Sequence, residues 1–348
     1  MNKKVLLGMS GGVDSSVSAI LLQKQGYEVI GATMRLWEQE NTNNAVEDAK
    51  KVCEKLGIKH HILDLRKEFK ERVVNNFICT YMCAKTPNPC VECNKFMKFD
   101  AFYKFAKELG CEYIATGHYA KNFYSEEFKQ YVLAKADATE KDQSYFLYGI
   151  SKEILPYVIF PLSKFKDKAE IRKIAEESGL EVAMKKDSQE VCFIPDNDYI
   201  NFLKQYNGNV NEEGNIVLSN GEVVGKHTGL INYTVGQRRG LGVSYKEPLY
   251  VIKLNKEKNE VIVGTEKELY SNELFANELN FLVDMNLAEK EIEIEAKIRY
   301  RSKPAKATLK IENNIAKVKF IEPQRAITPG QSVVFYINDI VLGGGKIL

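Results

Sequence analysis

The chain has 348 residues, of which 44% are hydrophobic and 28% charged, with a formal net charge of +2. That length and mix suit a soluble protein of two or three domains with ample core. The small net charge excludes a uniformly basic nucleic-acid surface, so an RNA contact must be a local patch, and the apolar runs fall far below the ~20 residues of a membrane span. No signal peptide opens the chain, and the seven cysteines are odd in number, so reduced thiols, a cytoplasmic location and no membrane partner are expected.

In chain order, the first half alternates strands at 4–9, 28–34, 59–64 and 112–117 with helices at 13–25, 43–56, 67–83 and 95–109. This βαβα order predicts a doubly wound parallel α/β sheet whose ligands bind at the carboxyl ends of its strands. The first such end reads Gly8-Met9-Ser10-Gly11-Gly12-Val13-Asp14-Ser15-Ser16. Strand, glycine turn and helix N-terminus aim backbone N–H groups and a positive dipole end at one point, which suits a phosphate. Gly11 and Gly12 admit close backbone approach, the serines add donors, and Asp14 can reach Mg²⁺. Neither the Walker pattern nor Gly-x-Gly-x-x-Gly is present. Ser-Gly-Gly-x-Asp-Ser looks like the pyrophosphate loop of enzymes that split ATP into AMP and pyrophosphate. Gly8 to Ser15 are therefore expected to take the phosphates, with adenine near Met34 and Gly117 giving close approach to sugar or base.

Sulfur is the second signal. Cys90-x-x-Cys93 follows Thr86-Pro87-Asn88-Pro89, and Asn94 reads as the N-cap of the helix at 95–109. That places Cys93 at a helix N-terminus near Lys95 and Lys98, where its thiolate fraction should rise. Cys192 lies alone in Lys186-Asp187-Ser188-Gln189-Glu190-Val191-Cys192-Phe193-Ile194-Pro195, read as a mobile loop. Cys53 and Cys111 read as inert packing, whereas Cys79, Cys83, Cys90 and Cys93 have a spacing irregular for zinc.

Helical pattern continues at 142–155, 167–178 and 196–205, after which the texture changes. Asn207-Gly208-Asn209 and Ser219-Asn220-Gly221 are hairpin signals, and alternation at 292–298 and 316–320 reads as a small closed β-barrel. The expected domains are an ATP-binding catalytic unit at 1–205, a small β-rich unit at 206–275 and a barrel at 276–348.

Seven motifs in order carry a family resemblance: Ser-Gly-Gly-Val-Asp-Ser-Ser, Thr-Pro-Asn-Pro-x-x-x-Cys-Asn, Ala-Thr-Gly-His-Tyr, Lys-Asp-Gln-Ser-Tyr-Phe-Leu, Lys-x-Asp-Ser-x-x-x-Cys-Phe-Ile, Thr-x-Gly-Gln-Arg-Arg-Gly-Leu-Gly and Thr-Pro-Gly-Gln. Together they resemble the bacterial tRNA-specific 2-thiouridylase family over nearly the whole chain. The resemblance implies ATP-dependent 2-thiolation of the wobble uridine, position 34, in tRNAs for lysine, glutamate and glutamine. It implies that Cys192 carries sulfur as a persulfide, delivered by a sulfur-relay protein or cysteine desulfurase, and that Cys93 is the nucleophile forming a disulfide with Cys192. It also implies tRNA contacts at Asn88, Pro89 and Cys90, at His118, at Lys141, Asp142, Gln143 and Ser144, and at Gln331, while Arg299 and Tyr300 fall in a basic, aromatic cluster suited to RNA.

One position departs: many relatives carry Asp where this chain has Cys90. A thiol does not replace a carboxylate in proton transfer near neutral pH. The same reaction through a [4Fe–4S] cluster on Cys90, Cys93 and Cys192 is therefore an alternative. Two rivals remain: an adenylating amide ligase of the same fold, which would not need Cys93 or Cys192, and a zinc-dependent RNA-binding protein, which would hold stoichiometric zinc and turn over no ATP.

Overall fold

The computed structural model describes residues 3–38, 40–138, 140–180, 191–194, 198–207, 212–284 and 291–348. The first half places β1 (Lys4–Gly8), α1 (Val13–Lys24), β2 (Glu28–Arg35), α2 (Glu40–Lys55), β3 (Lys59–Asp64), β4 (Tyr113–Ala115), β5 (Lys121–Ser125), β6 (Gln130–Ala134) and β7 (Val158–Ile159) along the chain. Five of these strands form a parallel sheet in the order β3-β2-β1-β4-β7. Val5, Leu6 and Leu7 are all fully buried because side chains leave the sheet alternately. Val5 and Leu7 meet Val13, Val17, Ala49 and Val52 on one face, and Leu6 meets Phe99, Phe102 and Ala106 on the other.

Two long helical runs depart from simple α geometry. One continues through Arg66–Phe69, Lys70–Val74 and Asn75–Met82, the other through Pro89–Cys93, Asn94–Ala101 and Phe102–Glu108, and the middle piece of each is π-helical. The second run starts six residues earlier than the predicted 95, with Asn88 as N-cap and Pro89 at the first turn. Proline belongs there, because its missing N–H is one the helix start would leave unpaired. Asn94 is therefore interior, and Cys93 sits in the second turn. Nor is 142–155 a helix: it holds short 3₁₀ turns at Ser144–Phe146 and Lys152–Tyr157. The Asp142 carboxylate takes the backbone N–H groups of Ala136 and Ser144 and so ties the chain into a loop. Helices at Lys168–Glu177 and Tyr199–Asn207 match expectation.

The middle sheet contains β8 (Gly214–Leu218), β9 (Val223–His227), β10 (Tyr250–Asn255) and β11 (Glu260–Gly264) in the order β10-β11-β8-β9. The turn at Ser219-Asn220-Gly221 joins β8 to β9, with Gly221 at φ +91°. The other hairpin signal, at 207–209, falls largely outside the described residues. The last six strands are β12 (Tyr270–Phe281), β13 (Ile292–Lys297), β14 (Ala305–Glu312), β15 (Ile315–Arg325), β16 (Ser332–Ile337) and β17 (Ile340–Ile347). They follow the order β12-β15-β14-β13-β16-β17, and β17 returns to β12, closing a barrel. The β5–β6 hairpin, although it belongs to the first half, is attached to this barrel through Ala134 opposite Ile340.

Candidate active site

The loop after β1 builds an oxyanion cradle. Gly12 caps α1 without any side-chain hydrogen bond, so backbone N–H groups at the helix start face outward. Gly11 adopts φ +69°, and a Cβ there would lie 2.7 Å from the Ala45 carbonyl oxygen, so only glycine fits. Ser15 Oγ accepts from the Ser10 N–H at 3.2 Å and donates to the Gly12 carbonyl at 3.1 Å, holding the turn's shape. Gly117, at the end of β4, lets that strand press on the helix start: a Cβ there would be 3.1 Å from Ser15 N.

Two residues that motif reading had not singled out complete the cradle. Tyr119 Oη donates to Asp14 Oδ1 at 2.9 Å, and Lys168 Nζ pairs with Asp14 Oδ2 at 3.1 Å. Lys168 opens the Lys168–Glu177 helix, so two helix N-termini and an ammonium meet at one carboxylate. No local pattern could reveal Lys168, which lies 154 residues from Asp14.

Met34 links this cradle to the thiols. Its Cε would be 3.6 Å from a Cβ on Gly8, and its side chain also packs on the cluster containing Cys93, Met97, Phe193 and Ile194. All seven cysteines are free thiols; Cys93 is buried, whereas Cys90 and Cys192 are exposed. The three reactive candidates come together: Cys93 feels the charge of both Cys192 and Cys90, and Cys192 that of Cys90. Burial pushes the Cys93 thiol up to about 12, despite the opposing Lys98 ammonium. The thiolate fraction of Cys93, expected to rise, is instead lowered, because the helix start lies a turn earlier and desolvation exceeds the lysine's pull. Cys90 and Cys192 are also pushed up, chiefly by the protein around them.

Phe193 explains how Cys192 is held. Its ring, 1% exposed, packs among Trp37, Phe69, Phe77 and Phe202 at centroid distances of 5.3–6.1 Å. The rest of the predicted mobile loop, Lys186 to Glu190 and Pro195, lies outside the described residues. Cys53 and Cys111 are buried packing, as expected. Among the described residues no three His, Cys, Asp or Glu side chains converge as a metal site. Cys90, Cys93 and Cys192 as arranged therefore do not fit a preformed cluster site.

The expected RNA-contacting residues divide. Burial holds the His118 imidazole well below its usual range, with Nδ1 2.8 Å from Thr116 Oγ1, so it is neutral near pH 7. Asp142 and Ser144 are buried, and Gln143 Oε1 accepts from the Tyr119 N–H. Arg299 Nη2 donates to Thr328 Oγ1 at 2.9 Å and to the Ala326 carbonyl, while Tyr300 packs on Phe146 at 4.5 Å. Gln331 Nε2 donates to the carbonyls of Thr86 and Pro87, immediately before Asn88, whose side chain meets the Tyr145 hydroxyl. Gln331, and Ser144 through the Tyr336 hydroxyl, thus join barrel to catalytic domain, whereas the bonds of Arg299 stay within the barrel and those of His118 and Gln143 within the catalytic domain. Arg238 and Arg239 of the Gln-Arg-Arg motif, and Arg301 and Lys303 beside Tyr300, are exposed cations.

A parallel sheet with a phosphate cradle at its carboxyl edge, beside paired thiols, defines a nucleotide-using α/β domain equipped for sulfur chemistry. Three family models tile the chain: a "tRNA methyl transferase HUP domain" over residues 3–196, a "tRNA methyl transferase PRC-barrel domain" over 200–265 and an "Aminomethyltransferase beta-barrel domain" over 271–347. The tRNA-specific 2-thiouridylase MnmA of Clostridioides difficile (strain 630) is 46% identical over 100% of this chain and 98% of its own length. That of Clostridium botulinum (strain Alaska E43 / Type E3) is 48% identical over 99% and 98%. The chain belongs to the tRNA-specific 2-thiouridylase family. Among solved structures, the U34-tRNA thiolase NcsA of Methanococcus maripaludis with its [4Fe–4S] cluster matches at TM-score 0.36 and 22% identity, covering 52% of this chain and 58% of that one. A 4-thiouridine synthetase–RNA complex with bound ATP matches at 0.38 and 24%, covering 58% and 50%. Likenesses this remote carry no weight for the site.

Proposed function

We propose that this enzyme uses ATP to replace the C2 oxygen of the wobble uridine with sulfur in tRNAs for lysine, glutamate and glutamine. The observation that carries the reading is the meeting of an adenylate-type phosphate cradle with Cys93 and Cys192 through Met34 at one sheet edge. The C2 carbonyl oxygen is a poor leaving group, and its attack on the ATP α-phosphorus, with loss of pyrophosphate, makes it part of AMP, a good one. The cradle N–H groups and Lys168 take the growing charge, and Asp14 is the carboxylate offered to Mg²⁺ arriving with the triphosphate. That ion neutralises charge on the departing pyrophosphate.

Cys192 bears a persulfide supplied by a sulfur-relay protein or a cysteine desulfurase. Its terminal sulfur attacks C2 and expels AMP, leaving Cys192 joined to the base through two sulfurs. Cys93 then attacks Cys192 Sγ, losing its proton: a Cys93–Cys192 disulfide forms, the S–S bond to the base breaks, and the electron pair leaves as the 2-thio group. An external thiol reductant resets the pair. A buried Cys93 thiol suits this order, since it stays protonated until the sulfur-loaded base arrives. A wobble base is unpaired and leaves its stack at low cost, and tRNA places the reaction in the cytoplasm.

Purified enzyme with ATP, Mg²⁺, a sulfur donor and unmodified tRNA should yield 2-thiouridine by mass spectrometry. Cys93→Ser and Cys192→Ser should each abolish it while tRNA binding persists. ATP cleavage that yields no 2-thiouridine and survives in the double serine variant would instead favour the amide-ligase reading.

A further inference from the structure

We infer that the barrel sets the position of the thiol-bearing helix through two contacts, Gln331 on the Thr86–Pro87 loop and Lys346 on Glu92. This inference deepens the thiolation reading and rests on it for the reaction affected. Pro87 and Pro89 offer no N–H, so the Thr86-Pro87-Asn88-Pro89 entry to the helix cannot pin itself with its own ladder. The barrel supplies the missing partners. The Gln331 amide donates to Thr86 O at 3.1 Å and to Pro87 O at 2.9 Å, and Thr86 N–H donates to Pro329 O at 2.9 Å. Gly330, at φ +88°, brings this turn into direct backbone contact, since a Cβ there would lie 2.8 Å from Thr86 O.

The second contact fixes rotation rather than entry. Glu92 lies between Cys90 and Cys93 in the Pro89–Cys93 helix, and its Oε1 is 3.3 Å from Lys346 Nζ, which also holds Glu278 at 2.8 Å. Glu92 and Lys346 are 13% and 20% exposed, so the pair is sheltered and its geometry is restrictive. With Glu92 tethered to β17, the helix that carries Cys90 and Cys93 at i,i+3 is held against rotation, and Cys93 stays close enough to Cys192 to feel its charge. Gln331, Lys346 and Glu92 are positioning residues: they touch neither the phosphate cradle nor a thiol. Because the same barrel carries Arg301 and Lys303, RNA seated on it is registered against the reacting sulfur.

The test compares Gln331→Glu, which keeps the shape but removes the donor, and Lys346→Met with wild type. Lys346→Arg serves as rescue, and Lys317→Ala, from the exposed Glu273 pair on the barrel, as control. Two readouts are followed: steady-state thiolation, and diamide-driven formation of the Cys93–Cys192 disulfide without tRNA, measured by mass spectrometry. Gln331→Glu and Lys346→Met should each lower kcat and the disulfide rate by about tenfold or more, and Lys346→Met should do so with KM for tRNA little changed, because small misplacement of reacting groups is costly. Lys346→Arg should restore both, and Lys317→Ala should match wild type. A raised KM with unchanged kcat, or unaltered disulfide rates, overturns the inference. Wild type that makes no 2-thiouridine, while the variants still slow the disulfide, would remove the thiolation reading and leave the positioning role standing.

Discussion

Cys93 shows how one side chain's setting governs the timing of the chemistry. A thiol held at about 12 by burial is only about one part in ten thousand ionised at pH 8. Raising the pKa favours the protonated form in the folded protein, so reactivity must keep rising as pH increases. Peptide-resolved alkylation by iodoacetamide should label Cys93 more slowly than exposed Cys79 and Cys83, and its rate should climb about tenfold per pH unit from 7 to 9.5. A plateau below pH 9 would show an activated resting thiol instead. Asp14 makes a related point: Ser-Gly-Gly-x-Asp-Ser singled it out, but no local spacing links it to its partners, Tyr119 at the end of the Ala-Thr-Gly-His-Tyr motif and the remote Lys168.

Among elements, the aromatic box around Phe193 converts a segment with one exposed cysteine into a docked arm. Phe193→Ala should cost about 3–5 kcal/mol of local packing and let Cys192 drift from Cys93. Thermal denaturation and the rate of Cys93–Cys192 disulfide formation would follow it, and an unchanged disulfide rate would mean that Phe193 does not hold the arm. The parallel sheet was legible from its alternation of strands and helices, the barrel from alternating segments such as 292–298 and 316–320, and the β8–β9 hairpin of the middle sheet from Ser219-Asn220-Gly221. The start of the thiol helix was not, since Asn94 and Pro89 both look like helix-start residues and only packing against the Thr328–Gln331 turn selects the earlier one. The loop at 142–155 misled for a similar reason: apolar spacing suggested a helix, but a buried Asp142 claimed the backbone donors.

At the scale of the whole molecule, two residues expected at the RNA surface are also tied within the protein: Gln331 bonds the carbonyls of the thiol-helix entry, and Arg299 bonds Ala326 and Thr328 inside the barrel. A single chain cannot reveal whether a polar motif faces solvent or a neighbouring domain, because both need the same hydrogen-bonding groups. The exposed Arg238 and Arg239 remain for phosphates. Their double alanine variant should weaken tRNA binding across all substrates and flatten the log K against log salt slope by about 1 to 2. An unchanged slope would place the RNA elsewhere.

The β5–β6 hairpin ties the order of synthesis to the order of folding. One edge of β6 pairs with β5, but its other edge meets a strand at Ala134 opposite Ile340, so that edge emerges from the ribosome about 200 residues before its partner, an interval of roughly 10–40 s at ~5–20 residues per second. During that interval the nascent first domain carries an open strand edge, a feature prone to mispairing. Completion of the amino-terminal half thus waits on the last strand made, and a chain cut short before β17 would be left adhesive as well as inactive.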